Sequence, residues 1–326
     1  MTLRIATFNV ENLDDGPSME PALADRIRIM RPQLLRVNAD ILCLQEVHSQ
    51  GPSDGRTLAA LDALLTDTPY SNYNRETTLT TEEKLYDQRN LVTLSRFPIV
   101  EARIVRDTSP PGSRPRYQMA TAHPPDQTAD PVEWERPMLH TRIDIGNGRT
   151  LHALNLHLKS KIASSVAGQK IDRFTWRTVS GWAEGSFVAS LKRVGQALQA
   201  RLLVDQIFDQ EGLDSLIALC GDFNAETEDV PLKTICGNVE DTGNPAHAPR
   251  QLIPCENNIP KSVRYSLFHL GRGQMLDHIV ASRPLLSFMD HAEVHNEALP
   301  DESGAFRQDT KFPESDHAPV IAEFRL

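Results

Sequence analysis

The chain has 326 residues, a formal net charge of −10, 40% hydrophobic and 24% charged residues, which is the composition of an ordinary globular protein. The acidic balance excludes coating of nucleic acid by bulk charge, because non-specific binding of that kind is mainly electrostatic; an enzyme with a local basic groove is not excluded. No run of about 18 apolar residues occurs, so no membrane span is expected. The chain enters a strand pattern at Leu3 with no charged-then-apolar leader, and no secretory signal is expected. Cys43, Cys220, Cys236 and Cys255 show no paired spacing. Cys43 and Cys220 lie in apolar runs and read as small buried hydrophobes, so reduced thiols and a cytoplasmic location are expected.

In chain order, strands are expected over 3–9, 40–46, 91–95, 99–105, 138–145, 150–157, 215–221, 275–281, 286–294 and 318–324. The Gly146-Asn147-Gly148 turn predicts that 138–145 and 150–157 form a hairpin. In 150–157, Leu151, Ala153 and Asn155 oppose His152, Leu154 and Leu156. A helix is expected over 21–38, where Leu23, Ile27, Met30, Leu34 and Val37 recur at helical spacing and Pro32 predicts a kink or break. A second is expected over 57–65. The third, over 184–209, places Val188, Leu191, Val194, Leu198, Leu202 and Ile207 on one apolar stripe. The Pro-rich or polar segments 109–128, 245–260 and 298–313 read as loops. Strands outnumber helices and occur both in hairpins and across helices. An α+β architecture with two mixed sheets and helices outside fits better than a purely parallel sheet.

Strand after strand ends in acids, amides or imidazoles. Ile5-Ala6-Thr7-Phe8 runs into Asn9, Glu11 and Asn12; Ile41-Leu42-Cys43-Leu44 runs into Gln45-Glu46. Leu151 to Leu156 runs into His157 and Lys159, and the run before Gly221 meets Asp222 and Asn224. Asp277-His278 and Ser315-Asp316-His317 each precede another apolar run. A carboxylate beside an apolar run is costly unless paired or metal-bound. Glu46 with Asp316 and an Asn amide would suit Mg²⁺, which takes oxygen ligands and keeps several waters. No His-x-x-x-His or Cys/His cluster supports zinc, and no Gly-x-Ser-x-Gly or P-loop occurs. His123, His140, His247, His269, His291 and His295 read as structural or solvated. Polar strand ends recur from Asn9 to Asp316, so one site draws on both termini, and 1–326 reads as a single domain.

These motifs, in this order, resemble the endonuclease/exonuclease/phosphatase superfamily, which includes deoxyribonuclease I, exonuclease III and neutral sphingomyelinases. The resemblance rests on Thr7-Phe8-Asn9-Val10-Glu11-Asn12, Leu44-Gln45-Glu46, Leu94-Ser95-Arg96-Phe97-Pro98-Ile99, Asn155-Leu156-His157-Leu158-Lys159-Ser160, Gly221-Asp222-Phe223-Asn224, Leu276-Asp277-His278 and Ser315-Asp316-His317. It implies a four-layer αββα sandwich and a Mg²⁺- or Mn²⁺-dependent hydrolase of phosphoesters, with nucleic acid the first substrate class and a small phosphorylated metabolite or phospholipid headgroup the second. It implies Glu46, Asn9, Asp316 and Glu11 as metal ligands. It implies Asp222 and Asn224 as the pair that positions the nucleophile, His317 as the catalytic histidine oriented by Asp277, and His157 as a second catalytic histidine. Asn12, Lys159 and Arg89 are expected on the substrate phosphate. Where deoxyribonuclease I has a Glu supporting its second histidine, this chain has Gln88-Arg89-Asn90, and Asp87 is the nearest acid.

From Arg149 to Arg201 there are nine Lys or Arg against Asp172 and Glu184. A flap or insertion over 160–184 is expected, with Lys161, Lys170, Arg173 and Arg177 beside the site and Gly168, Gly181 and Gly185 as points of bending. A solvated loop is the alternative.

Overall fold

The computed structural model describes residues 1–16, 20–106, 114–304 and 312–326. Two βαβ crossovers organise it. Strands Thr2–Leu13 and Ile41–Val47 are parallel, with Ile5 opposite Ile41, and are joined through the helix Leu23–Val37. Strands Thr150–His157 and Leu216–Asp222 are parallel, with Leu151 opposite Leu216, and are joined through the long helix Val179–Glu211. Parallel neighbours need a crossover of a dozen or more residues, usually a helix. Antiparallel strands extend each pair into a mixed sheet. The first sheet runs Met289–Val294, Val320–Arg325, Thr2–Leu13, Ile41–Val47, Asn90–Ser95, Asn74–Thr77. The second runs Leu252–Pro254, Asp277–Ser282, Leu216–Asp222, Thr150–His157, Met138–Asp144, Ile99–Val105.

Side-chain alternation then sorts three apolar layers. Leu3, Ile5, Cys43, Leu151, Ala153, Cys220 and Ile279 meet between the sheets. Ala6, Phe8, Leu42 and Leu44 pack under the helices Leu23–Val37 and Ala59–Leu65. Leu154, Leu156, Ile217 and Leu219 pack under the long helix. The result is the αββα sandwich expected from the sequence. Between the sheets, Asn155 donates to Leu44 O (3.1 Å) and Val92 O (3.0 Å) and accepts from Gln45 Nε2 (2.8 Å), while Gln45 Oε1 accepts from Thr7 Oγ1 at 3.2 Å. A buried amide left without partners costs roughly 1–3 kcal/mol; these two are paired and tie the sheets together where the site begins.

The hairpin at Gly146-Asn147-Gly148 forms as expected. Pro32 sits inside the helix Leu23–Val37 and does not end it; Asn38, left-handed at φ 45°, does. The expected stripe on the long helix holds at Val188 and Ile207 and is corrected between them. Leu198 and Leu202 are exposed, and the buried face is built on Ala189, Ala197, Ala200, Val204, Ile207 and Phe208. Small residues let the helix approach the sheet, whereas residue size had drawn attention to the leucines. The segment 245–260 is not all loop: Leu252–Pro254 pairs with the strand Asp277–Ser282, and Cys255 and Glu256 are buried. Of 286–294 only Met289–Val294 forms the strand, and Leu286 closes a helical turn, Arg283–Leu286. Parts of the expected loops 109–128 and 298–313 lie outside the described residues.

On the outer face of the second sheet His140 Nε2 lies 3.0 Å from His152 Nδ1, and His152 Nε2 lies 3.1 Å from Glu211 Oε2. Burial, reinforced by His152, pushes His140 down to about 3. A histidine buried neutral binds fewer protons folded than unfolded. Its contribution is therefore complete above the unfolded value of about 6.5 and is lost as pH falls from there toward 3. Chemical-denaturation stability should fall across that window in the wild type, and His140→Gln should flatten the slope. An unchanged slope in the variant would place the acid sensitivity elsewhere.

Candidate active site

The polar strand ends converge. Several are turned toward the site by irregular residues, while His157 and Asp277 end strands in regular register. The pairing of Thr2–Leu13 with Ile41–Val47 slips between Asn9 and Leu13, and that of Ile41–Val47 with Asn90–Ser95 slips between Leu44 and Val47. Bulges of this kind re-aim side chains. Glu11, Asn12, Glu46, Arg89 and Asn224 all have positive φ, at 42°, 48°, 61°, 60° and 48°. Such backbone costs a non-glycine residue on the order of 1 kcal/mol or more, and here it clusters among the expected site residues. Gly221 is a different case: a Cβ there would lie 1.8 Å from Leu156 O, so only glycine lets the parallel strand close against the one that delivers His157.

Asp222 is the hub. Its Oδ2 accepts from Asn9 Nδ2 (3.1 Å) and Asn224 Nδ2 (3.0 Å), with His157 Nε2 at 3.2 Å; its Oδ1 accepts from Asn224 N at 2.8 Å. Burial opposes its charge, but His317, His157 and the Asn224 amide outweigh it and hold Asp222 well below the usual carboxylate range. His317 Nδ1 lies 2.6 Å from Asp277 Oδ2, and its Nε2 is 3.9 Å from both Asp222 Oδ2 and Asp316 Oδ1. Burial works against charging His317, yet Asp277, Asp316 and Asp222 raise it well above an ordinary imidazole. His157 is shifted the other way, first by burial and then by the nearby Arg136. The two histidines are thus tuned apart, a pattern characteristic of acid–base sites. The carboxylate beside His157 is Asp222; Asp87 instead pairs with Arg56 at 3.0 Å.

A second group of carboxylates lies alongside. Glu46 Oε2 accepts from Asn12 N at 3.0 Å, and Oε1 makes no hydrogen bond among the described residues, His157 Nε2 being 3.7 Å away. Glu11 Oε2 accepts from Asp316 N at 3.1 Å, and Asn9 Oδ1 accepts from Glu11 N at 3.0 Å. Asp316 Oδ1 is buried with no hydrogen-bond partner among the described residues. Burial raises Asp316 well above its usual range, and Glu11 and Glu46 add to the shift; burial raises Glu11 too, against the pull of Arg26. Glu46 is the exception: burial is outweighed by His157, Arg136, His317 and Arg89, which lower it. Among the described residues two carboxylate oxygens of this corner, Glu46 Oε1 and Asp316 Oδ1, are unengaged, and its donors are the hard oxygens that suit Mg²⁺ or Mn²⁺. Asp222, Asp277 and His317 also place ligand atoms within 4.8 Å of one another. Asp222 already accepts from several protein donors and His317 Nδ1 is engaged by Asp277, so the Glu46 corner suits a cation better.

Lys159 stands apart from this cluster. Its ammonium donates to Ser160 Oγ and Ile162 O, both at 3.2 Å, and it lines a neighbouring cavity of about 740 Å³ with Tyr117, Glu135, Val188 and Lys192. Asn12 meets Glu46 through its backbone, and Arg89 acts on Glu46 through its charge.

Several contributors were not found in the sequence. Arg136 donates to Leu158 O at 3.0 Å, and its charge bears on Glu46, His157 and Asp222. Arg26 donates to Glu11 O and Val10 O, both at 2.8 Å, beneath the carboxylates. Ser315 Oγ donates to Asn9 O (2.7 Å) and accepts from His317 N (3.1 Å), joining the two ends of the chain. His278 is hydrogen-bonded to the buried Glu256 and, through Nε2, to Ala225 O at 2.8 Å, under the turn that carries Asn224. Arg26 and Arg136 had no signal beyond an arginine in a helix or before a strand; Ser315 was signalled by its place beside Asp316-His317.

A two-sheet sandwich with this constellation at one sheet edge defines a phosphoesterase scaffold. The chain belongs to the Endonuclease/Exonuclease/phosphatase family, whose sequence model matches residues 6–317. No curated protein sequence matches it significantly. Similar solved structures include a humanized D. rerio TDP2 with 14 mutations (15% identity, TM-score 0.57, 100% of this chain and 99% of that one). An AP endonuclease from Archaeoglobus fulgidus shares 15% identity at TM-score 0.55, over 99% of this chain and 100% of that one. An endonuclease/exonuclease/phosphatase from Bacteroides vulgatus shares 16% identity at TM-score 0.58, over 100% and 99% of the two chains. At these identities the likeness establishes the fold, and the family supports a phosphoesterase.

Proposed function

We propose that this protein is a divalent-metal-dependent phosphodiesterase of one domain, 1–326, acting by in-line attack of water. The observation that carries the reading is the Asp222 hub facing the Asp277–His317 pair, with unengaged Glu46 and Asp316 oxygens beside it. Glu46, Asp316, Glu11 and Asn9 would hold Mg²⁺ or Mn²⁺, which when bound supplies charge to the phosphoryl oxygens. Asp222, ionised before attack and held by Asn9 and Asn224, orients the attacking water and takes up its proton as the new P–O bond forms. His317, charged and fixed through Nδ1 by Asp277, donates from Nε2 to the developing negative charge. His157 and Arg136 complete the phosphate pocket, with Arg89 and the Asn12 backbone at its edge. The cavity beside Lys159 gives the second ester substituent a place. That favours a diester over a monoester, with nucleic acid as the first substrate class and a small phosphorylated metabolite or a phospholipid headgroup as the second. A cytoplasmic location accords with four free thiols.

Parallel assays with Mg²⁺ and Mn²⁺ on plasmid DNA, single-stranded RNA, bis-p-nitrophenyl phosphate and an inositol phosphate test the reading. Hydrolysis of at least one diester in preference to the monoester is expected; cleavage of the monoester alone would replace the diesterase with a phosphatase.

A further inference from the structure

The excursion after the strand ending at His157, together with the first turns of the long helix, carries a surface that the site does not use. Val179, Ile162, Phe174 and Ile171 are 80%, 73%, 69% and 61% exposed, and Trp182 and Phe187 are each 50% exposed. This exposure does not come from looseness. Ser164 N donates to Gly185 O at 2.9 Å, Arg177 N to Gln169 O at 2.8 Å and Ile171 N to Thr175 O at 2.9 Å. A Cβ at Gly181 would lie 2.5 Å from Gln169 Oε1, and one at Gly185 2.3 Å from Ser164 O. Both glycines are thus close-packing positions of the helix, not the bending points expected from the sequence. Glu184 fastens the other side, accepting from Tyr117 Oη and Thr121 N, both at 2.8 Å. A well-packed segment that shows this much apolar side chain to water marks an interaction surface.

The same stretch is basic. Over 161–187, Lys161, Lys170, Arg173 and Arg177 outnumber Asp172 and the enclosed Glu184, in a chain of net charge −10. Lys161 pairs with Asp229 at 3.2 Å, and Arg177 Nε donates to Gly168 O at 3.1 Å. The Lys170 ammonium lies 4.1 Å from the Trp176 ring centroid, and the Arg173 guanidinium 5.1 Å from that of Phe174. Apart from the Lys161–Asp229 pair, these contacts stay within the excursion. Cationic heads interleaved with aliphatic and aromatic side chains are the composition of segments that lie in a lipid interface.

We propose that residues 162–187 dock the protein on an anionic phospholipid surface, with Ile162, Ile171, Phe174, Val179 and Trp182 entering the headgroup region and Lys170, Arg173 and Arg177 meeting lipid phosphates. Single-stranded nucleic acid would use the aromatics and the cations, but stacking gives no role to exposed Ile162, Ile171 and Val179. Among the described residues no helix is long and apolar enough to cross a membrane, so the attachment is peripheral. Ala163, Ser164, Ser165 and Val188 also wall the cavity beside Lys159, so a docked protein holds that cavity beside the lipid.

Flotation of the full chain with phosphatidylcholine vesicles, with and without about 30% phosphatidylserine, tests the proposal. The wild type should float with the anionic vesicles only and be released by salt. Ile171→Ser/Phe174→Ser/Trp182→Ser and, separately, Lys170→Gln/Arg173→Gln/Arg177→Gln should each lower the bound fraction by about tenfold. Both variants should keep the wild-type circular dichroism, and the first should keep any hydrolysis of soluble bis-p-nitrophenyl phosphate. Wild type that does not float, or folded variants that float equally well, would overturn the proposal. So would patch-dependent retention of single-stranded DNA, or patch-dependent self-association, without vesicle binding. A wild type that floats but hydrolyses no diester would remove the proposed reaction and leave the docking surface standing.

Discussion

Asp222→Asn is expected to lower turnover by roughly 10³-fold, within the span attributed to a positioned acid or base, while divalent-ion binding persists. The variant keeps the volume of the side chain but removes the charge that balances His317 and His157. It also presents an NH₂ group to Asn9, Asn224 and His157, which the carboxylate oxygens meet as acceptors. A buried donor left without an acceptor costs roughly 1–3 kcal/mol, so the melting temperature should fall by several degrees with the circular dichroism spectrum retained. Single-turnover kinetics on the best diester from the substrate panel would measure the effect. Loss of less than tenfold would move the nucleophile-orienting role away from Asp222.

The second large effect is a coupling. His317→Ala should cost roughly 10²- to 10⁴-fold in rate, and Asp277→Asn less, because Asp277 acts through His317 Nδ1 at 2.6 Å. The double variant should therefore be barely slower than His317→Ala alone. Stability should show the opposite signature. His317→Ala strands a buried carboxylate whose second oxygen, Oδ1, already lacks a partner among the described residues, and breaking a buried pair from one side is strongly destabilising. Adding Asp277→Asn to that background should restore part of the loss. Additive losses in log rate, with no recovery of stability, would mean that the two residues act independently.

The site was legible in the sequence because its residues stand where apolar runs stop. Asn9, Glu46, His157, Asp222, Asp277 and Asp316 each border a buried strand, and a charge in that position has few explanations besides pairing or chemistry. The irregular pairing after Asn9 and at Glu46 was not legible, since no glycine marks those left-handed residues. Nor were Arg26 and Arg136. Arg26 lies on a helix and Arg136 ahead of a strand, in positions where most arginines are solvated. The long helix misled because two of its leucines are not on its buried face: Leu198 and Leu202 face water while Ala197 and Ala200 are buried. Glu256 was hidden in a proline-rich stretch that proved to carry an edge strand.

The most direct test is the rate of diester hydrolysis as Mn²⁺ or Mg²⁺ is added to metal-stripped protein, for the wild type and for Glu46→Gln. The neutral amide keeps a hydrogen-bonding oxygen but removes the charge that draws a divalent ion. The wild-type rate should rise from near zero and saturate, and the variant should need at least about tenfold more metal to reach half its own maximum. A wild-type rate that persists in chelator, or identical metal dependence in the two proteins, would contradict a metal-dependent phosphodiesterase built on Glu46.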